Sequence, residues 1–180
     1  MVEAKLLNRK IIGVDINEIA LERCRDKVDF EHETAKGTVT IINGNAANLD
    51  FIKDSSIDFI CTHPPYADII KYSDGIKGDL SQLPVPEFIS MMEKVANESF
   101  RVLKKGKFCA ILMGDTRQKG HMIPMSFDVM KKFEDAGFRL KELIIKEQHN
   151  YRATGFWKKS SIKNNFLLIA HEYLFVFHKL

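Results

Sequence analysis

Short apolar runs alternate along the chain with longer segments in which apolar residues recur every three or four positions. That alternation predicts an α/β fold, a sheet with helices on its faces. The short runs place strands at Ile11–Asp15, Thr38–Ile42, Ile57–Thr62, Phe108–Met113, Leu140–Glu147 and Phe166–His178. Between them, Ile19, Leu21, Cys24 and Val28 give an amphipathic helix after Asn17. Phe88, Met91, Met92, Val95, Phe100 and Leu103 give a second, opened by Pro86, whose fixed φ suits a first helical turn, and stopped before the next strand by Gly106. A third covers Met125–Ala136, with Phe127, Val129, Met130 and Phe133 on its apolar side and Gly137 as its stop. The last two strands have no helical pattern between them, so they are expected to pair antiparallel at the end of an otherwise parallel sheet. The stretch 148–165 that joins them is too long for a tight turn and is expected to be functional or mobile.

With 180 residues and an apolar fraction of 45%, the chain has the size of one domain able to bury a core. Cys24, Cys61 and Cys109 are odd in number and show no C-x-x-C spacing, which points to buried thiols in a reducing cytoplasm and away from disulfides or zinc. His32, His63, His121, His149, His171 and His178 show no ligand spacing either, so no metal site is expected. No run is long and apolar enough for a membrane span, and no signal peptide is visible. A net charge of +3 permits nucleic-acid contact without demanding it, so any such surface has to come from local clusters.

The chemistry concentrates at Thr62-His63-Pro64-Pro65-Tyr66, directly after the strand Ile57–Thr62. Two prolines lock φ and remove both backbone donors, so the strand must end there in a stiff loop with fixed carbonyls. Those carbonyls and His63 offer acceptors to a planar amine, and Tyr66 offers a ring face, a combination suited to a flipped-out nucleobase. A rigid turn with a packed ring is the plainer alternative. The loop resembles that of the S-adenosylmethionine-dependent amino methyltransferases of DNA, in which Asp, Asn or Ser precedes Pro-Pro and an aromatic. Here His63 stands at that first position. The resemblance extends through Thr62–Ser73, Gly114-Asp115-Thr116-Arg117 and His171–Phe177 over nearly the whole chain.

The resemblance implies a Rossmann-like methyltransferase sheet, S-adenosylmethionine as cofactor, DNA as partner and, in a restriction-modification setting, methylation of cytosine N4 or adenine N6. His63, Pro64, Pro65 and Tyr66 would then be catalytic. An RNA or protein amide methyltransferase, and a non-catalytic nucleic-acid-binding remnant, are the competing readings.

Ile11–Asp15 ends in a carboxylate, and a carboxylate there can take two hydrogen bonds from the vicinal hydroxyls of a ribose. Capping the following helix is the other reading for Asp15. Asn45 ends the next strand, where it could meet the adenine amine or simply shape a turn. Ile16 and Ala46 beside these two complete the expected cofactor set. The glycine-rich strand-to-helix turn that family members use for the methionine end is absent. Met1–Lys10 resembles the helix that follows such a turn. The expectation is therefore a single catalytic domain lacking its first strand, either truncated or one part of a split enzyme whose partner fragment carries the glycine-rich motif.

For the nucleic acid, His149, Tyr151, Arg152, Trp157, Lys158, Lys159 and Lys163 interleave cations with rings between the last two strands. Asp115, Thr116, Arg117, Lys119 and His121 follow a strand end, where open α/β sheets build sites. The loop Ala67–Pro84, with Asp68, Lys71, Tyr72, Ser73 and Asp79, is expected to border the target pocket.

Overall fold

The computed structural model describes residues 1–31, 35–67, 73, 75–148 and 154–180. In chain order the elements are α1 (Val2–Leu6), β1 (Ile11–Asp15), α2 (Glu18–Val28), β2 (Val39–Asn43) and β3 (Ile57–Thr62), then a 3-10 turn at Leu80–Gln82. There follow α3 (Val85–Val102), β4 (Leu103–Met113), β5 (Thr116–Gln118), β6 (His121–Ile123), α4 (Met125–Asp135), β7 (Arg139–Glu147), α5 (Thr154–Asn164) and β8 (His171–His178).

Two sheets carry the architecture. β1 and β2 pair parallel, with Gly13 opposite Ile41. A second sheet runs β3-β4-β8-β7. β3 and β4 are parallel, whereas β8 is antiparallel to both β4 and β7. β7 therefore runs in the same direction as β4, and β8 alone reverses. The expected fold class holds: a Rossmann-like, mostly parallel sheet with an antiparallel C-terminal pair, in which the last strand inserts inside the edge strand. Among the described residues β1 and β3 each have one paired edge only.

α3 and α4 cover one face of the larger sheet. The period of two in β4 sends Cys109, Ile111 and Met113 to that face, where Phe88, Met92, Val129, Phe133, Phe175 and Phe177 close the core. The Phe133 and Phe177 rings stack at 5.2 Å. Each such side chain contributes about 1.5–3 kcal/mol on burial. The opposite face is open, with Phe59 58% and Ile144 49% exposed.

The connection from β2 to β3 is pinned to α3 by Arg101, which donates to the carbonyls of Leu49 and Ile52 and pairs with Glu98 and Asp54. Glu98 also accepts from the Leu49 amide at 2.6 Å. These bonds fix where the chain enters β3 and hence where the loop after it emerges.

Three expectations are corrected, and one element was not expected at all. Gly106 does not stop the second helix: α3 ends at Val102, and the fully buried Leu103 pairs at once with Ile57 in extended conformation. Gly106, at φ +76°, lies inside β4 and donates its N–H to Lys179. Between the last two strands a helix, α5, does form. Its apolar residues Phe156, Trp157 and Ile162 are not gathered on a buried side, so it leaves no clear amphipathic period, and it is exposed along most of its length. β8 starts at His171 and not at Phe166. Finally, β5 and β6 form an unforeseen hairpin, turned by Lys119 (φ +50°) and Gly120 (φ +83°), the two positive-φ residues a tight hairpin favours. Gly137 does end its helix, at φ +110°, with the Phe138 amide reaching back to Phe133.

Candidate active site

The carboxyl ends of β1, β2 and β3 converge on a cavity of about 490 Å³. Parallel strands put their carbonyl ends on one side, which is why residues far apart in sequence meet there. Asp15, Ile16, Asn45 and Ala46 line it from one sheet, and Thr62 through Tyr66 from the other. All eight residues expected to hold cofactor or do chemistry thus line one cavity, four from each side of the split between the sheets.

Asp15 is exposed, and its Oδ1 accepts from the Asn17 amide at 2.8 Å. The cap of α2 is Asn17 itself, whose side chain accepts from Ile19 and Ala20. Capping therefore does not consume Asp15, and Oδ2 has no partner among the described residues. The Asn45 carbonyl accepts from the Ala47 amide at 2.8 Å, so the turn-shaping reading accounts for that atom. Its Nδ2 faces Gly78, where a Cβ would stand 3.1 Å away.

Pro64 is buried, Pro65 and Tyr66 are half-buried and His63 is exposed. The Tyr66 ring rests against the backbone at Gly114, where an added Cβ would lie 3.1 Å from its hydroxyl. His63 Nε2 meets the Tyr66 hydroxyl at 2.9 Å. That hydroxyl donates to Glu172 Oε1 at 2.5 Å, and Lys146 reaches Glu172 Oε2 at 2.7 Å. Glu172 is 4% exposed. Burial alone would raise its carboxyl, but hydrogen bonds from Lys146, Tyr66 and Gln148 and the Lys146 charge outweigh that and hold it below the usual carboxylate range. No local pattern marked Glu172 as part of the site.

Over the cavity, Ser73, Gly78, Asp79 and Leu80 represent the loop expected to border the pocket. Asp79 caps the 3-10 turn and accepts from Ser73 at 2.6 Å, from the Ser81 hydroxyl at 2.7 Å and from Gln82 at 3.2 Å. It is buried, which by itself raises its carboxyl. The surrounding donors lower it further than burial raises it. Asp68, Lys71 and Tyr72 lie outside the described residues.

The expected nucleic-acid residues are dispersed. Trp157, 46% exposed, and the exposed Lys158, Lys159 and Lys163 are carried on α5. Arg117 is engaged within the chain: it donates to the carbonyls of Gly120 and Leu167 and lies 4.6 Å from the Phe166 ring centre. Lys119 is exposed at the tip of the hairpin. Arg152, with His149 and Tyr151, lies outside the described residues, as does His32. Asp115 anchors α4 by accepting from the Ser126 amide and hydroxyl. Among the described residues no His, Cys, Asp and Glu are grouped to hold a metal ion, and no helix is long and apolar enough to cross a membrane.

A family model described as DNA methylase matches residues 57–180. The type II methyltransferase M.MjaVI of Methanocaldococcus jannaschii is 29% identical over 143 residues, 78% of this chain and 71% of that protein. The orphan methyltransferase M.BamHII of Bacillus amyloliquefaciens is 29% identical over 128 residues, 71% of this chain and 40% of its own length. The PvuII DNA methyltransferase (cytosine-N4-specific) superposes with a TM-score of 0.60 at 19% identity, over 76% of this chain and 48% of that one. The chain thus spans less than half the length of the last two.

Proposed function

The chain belongs to the DNA methylase family, whose model matches residues 57–180, and on that membership we propose that it methylates cytosine N4 or adenine N6 on a base turned out of DNA. The observation that carries this reading is the meeting of Asp15 and the His63-Pro64-Pro65-Tyr66 loop on one cavity. A ribose ligand and an amine-accepting loop are the two ends of a methyl-transfer site, and they come from different sheets.

The family is S-adenosylmethionine-dependent, and that cofactor supplies a methyl group activated on a sulfonium sulfur. The residues present fit its nucleoside half. Asp15 Oδ2 would take the ribose hydroxyls, and Ile16, Asn45 and Ala46, which line the same cavity, would border the adenine. For the methionine half, the glycines at the cavity are Gly44 and Gly78, and neither opens an α-helix. Among the described residues β1 and β3 each have one unpaired edge, and a further strand bringing a glycine-rich turn to that side would complete the floor.

At the other end, the Pro64 carbonyl and His63 accept hydrogen bonds from the amine, and Tyr66 lies against the base. As the nitrogen becomes tetrahedral it gains positive charge, and fixed acceptors stabilise it without having to reorganise. Lys119, Trp157, Lys158, Lys159, Lys163 and Arg152 contact the nucleic acid, the cations at phosphates and the ring at bases. Arg117 acts beneath them by holding the hairpin that carries Lys119.

The test is nucleoside analysis of duplex DNA incubated with labelled S-adenosylmethionine and the chain, with and without a strand-turn fragment added in trans. N4-methylcytosine or N6-methyladenine in the digest supports the proposal. Methyl transfer to RNA or protein in place of DNA overturns it.

A further inference from the structure

We propose that Glu172 is a positioning residue that, through Tyr66, fixes the tautomer of His63 with the proton on Nε2, so that Nδ1 is the atom that accepts the substrate amine. The inference rests on the methylase reading for the identity of that amine.

The derivation starts from proton counting. An ionised carboxylate can only accept hydrogen bonds. Glu172 is held in that state by three donors, so the single proton of the Tyr66 hydroxyl is the one in the 2.5 Å contact between them. The Tyr66 oxygen is then left with lone pairs only. His63 Nε2, at 2.9 Å from that oxygen, must therefore supply the proton of their shared bond. In a neutral imidazole the other nitrogen has none. Nδ1 is thus an acceptor, and no hydrogen bond to it is formed among the described residues. His63 itself lines the cavity.

The direction of the relay depends on Lys146. Its ammonium occupies Glu172 Oε2 at 2.7 Å, leaving Oε1 for Tyr66. On the Gly114 side the Tyr66 ring has little spare room, since even an added Cβ there would stand 3.1–3.2 Å from it. One buried carboxylate on β8 thereby orders two side chains of the loop after β3, and the imidazole presents one face of its chemistry to the cavity and the other to the protein.

Geometry makes the choice of nitrogen testable by shape. The Asn side-chain oxygen stands at the same bond distance from Cβ as Nδ1 of histidine, whereas the terminal group of Gln stands where Nε2 does. The first experiment needs no catalysis: long-range proton–nitrogen correlation spectra of the 180-residue chain with labelled histidine, at about pH 8, where an ordinary imidazole is neutral. His63 is assigned by the signals lost in His63→Asn. His171, whose Nε2 is 2.9 Å from the Tyr173 hydroxyl, is the internal reference and should not change.

The wild type should show His63 protonated on Nε2 alone, and Tyr66→Phe and Glu172→Gln should each introduce a population protonated on Nδ1. A wild-type ring protonated on Nδ1, or a tautomer ratio identical in wild type and both variants, overturns the proposal. In the reconstituted methyl-transfer assay, His63→Asn should retain more single-turnover rate than His63→Gln, and the reverse order overturns Nδ1 as the acceptor. Because the spectra are read without cofactor or DNA, a failed tautomer prediction is distinct from a failure of the methylase reading, which only the nucleoside analysis can show.

Discussion

The Tyr66 hydroxyl donates to Glu172 across 106 positions of sequence, at 2.5 Å, which makes the loop after β3 and the start of β8 one polar unit. Its consequence is that the loop cannot be understood as a stiff Pro-Pro turn alone. The prolines set the backbone, and a buried carboxylate from the opposite end of the chain sets the side chains.

His63→Ala should lower the single-turnover methyl-transfer rate of the reconstituted enzyme by about a hundredfold, the usual cost of losing one acceptor to a developing charge. Replacement by Asp or Ser should retain more, since each restores an acceptor. Tyr66→Ala should impair both rate and base capture. Quench-flow on a saturating duplex checks this, and a wild-type rate in His63→Ala would reduce His63 to a structural role.

The 180-residue chain alone should bind S-adenosylmethionine weakly. Asp15 is present for the ribose, but nothing among the described residues cradles the methionine end. Titration calorimetry should improve on addition of the strand-turn fragment. Micromolar or tighter binding to the chain by itself would refute the need for a further strand.

Replacing Lys158, Lys159 and Lys163 together by Ala should weaken DNA binding and flatten its salt dependence by about one unit of slope per phosphate contact removed. Arg117→Ala should behave differently. Its guanidinium holds Gly120 and Leu167, so the variant should melt earlier and should flatten the salt slope of DNA binding less than the triple lysine variant, by no more than the one contact of Lys119. Binding isotherms from low to high salt separate the two.

Asp79→Ala should destabilise the chain by about 1–3 kcal/mol at neutral pH, because the hydroxyls and amides gathered on it lose their acceptor. Its carboxyl is lowered in the folded state, so its contribution is fully present above the ordinary carboxylate pKa of about 3.9. That contribution is lost as pH falls through the lowered value. The stability gap between wild type and variant should therefore narrow in acid. Denaturant melts from pH 7 downward check it, and a gap that widens in acid contradicts the assignment.

Gly114→Ala should disturb the site with little effect elsewhere. The added methyl would stand 3.1–3.2 Å from the Tyr66 ring and hydroxyl, and Glu172 prevents that hydroxyl from yielding easily. The expected outcome is a slower transfer rate with the melting temperature lowered only slightly. An unaltered rate would mean that the ring has room to shift.

Local pattern was enough to define β1, β3 and α4 and to mark the His63-Pro64-Pro65-Tyr66 loop, because proline φ, strand alternation and helical period are written in neighbouring residues. The same pattern placed Asp15 at a strand end and Asn45 just past one, and parallel pairing then brought both to the cavity. It did not reveal α5, whose apolar residues follow no face. Nor did it reveal the strand character of Leu103, which fits a helix stripe and a strand equally until Ile57 pairs with it. Glu172 read as one polar position in an alternating strand. Its burial and ionised state depend on Lys146, Gln148 and Tyr66 arriving from β7, its end and a distant loop, and such a meeting is decided by sheet topology and not by any local preference. Alternation along the chain determined which residues stand at the ends of strands; only the order β3-β4-β8-β7 decided which of them touch.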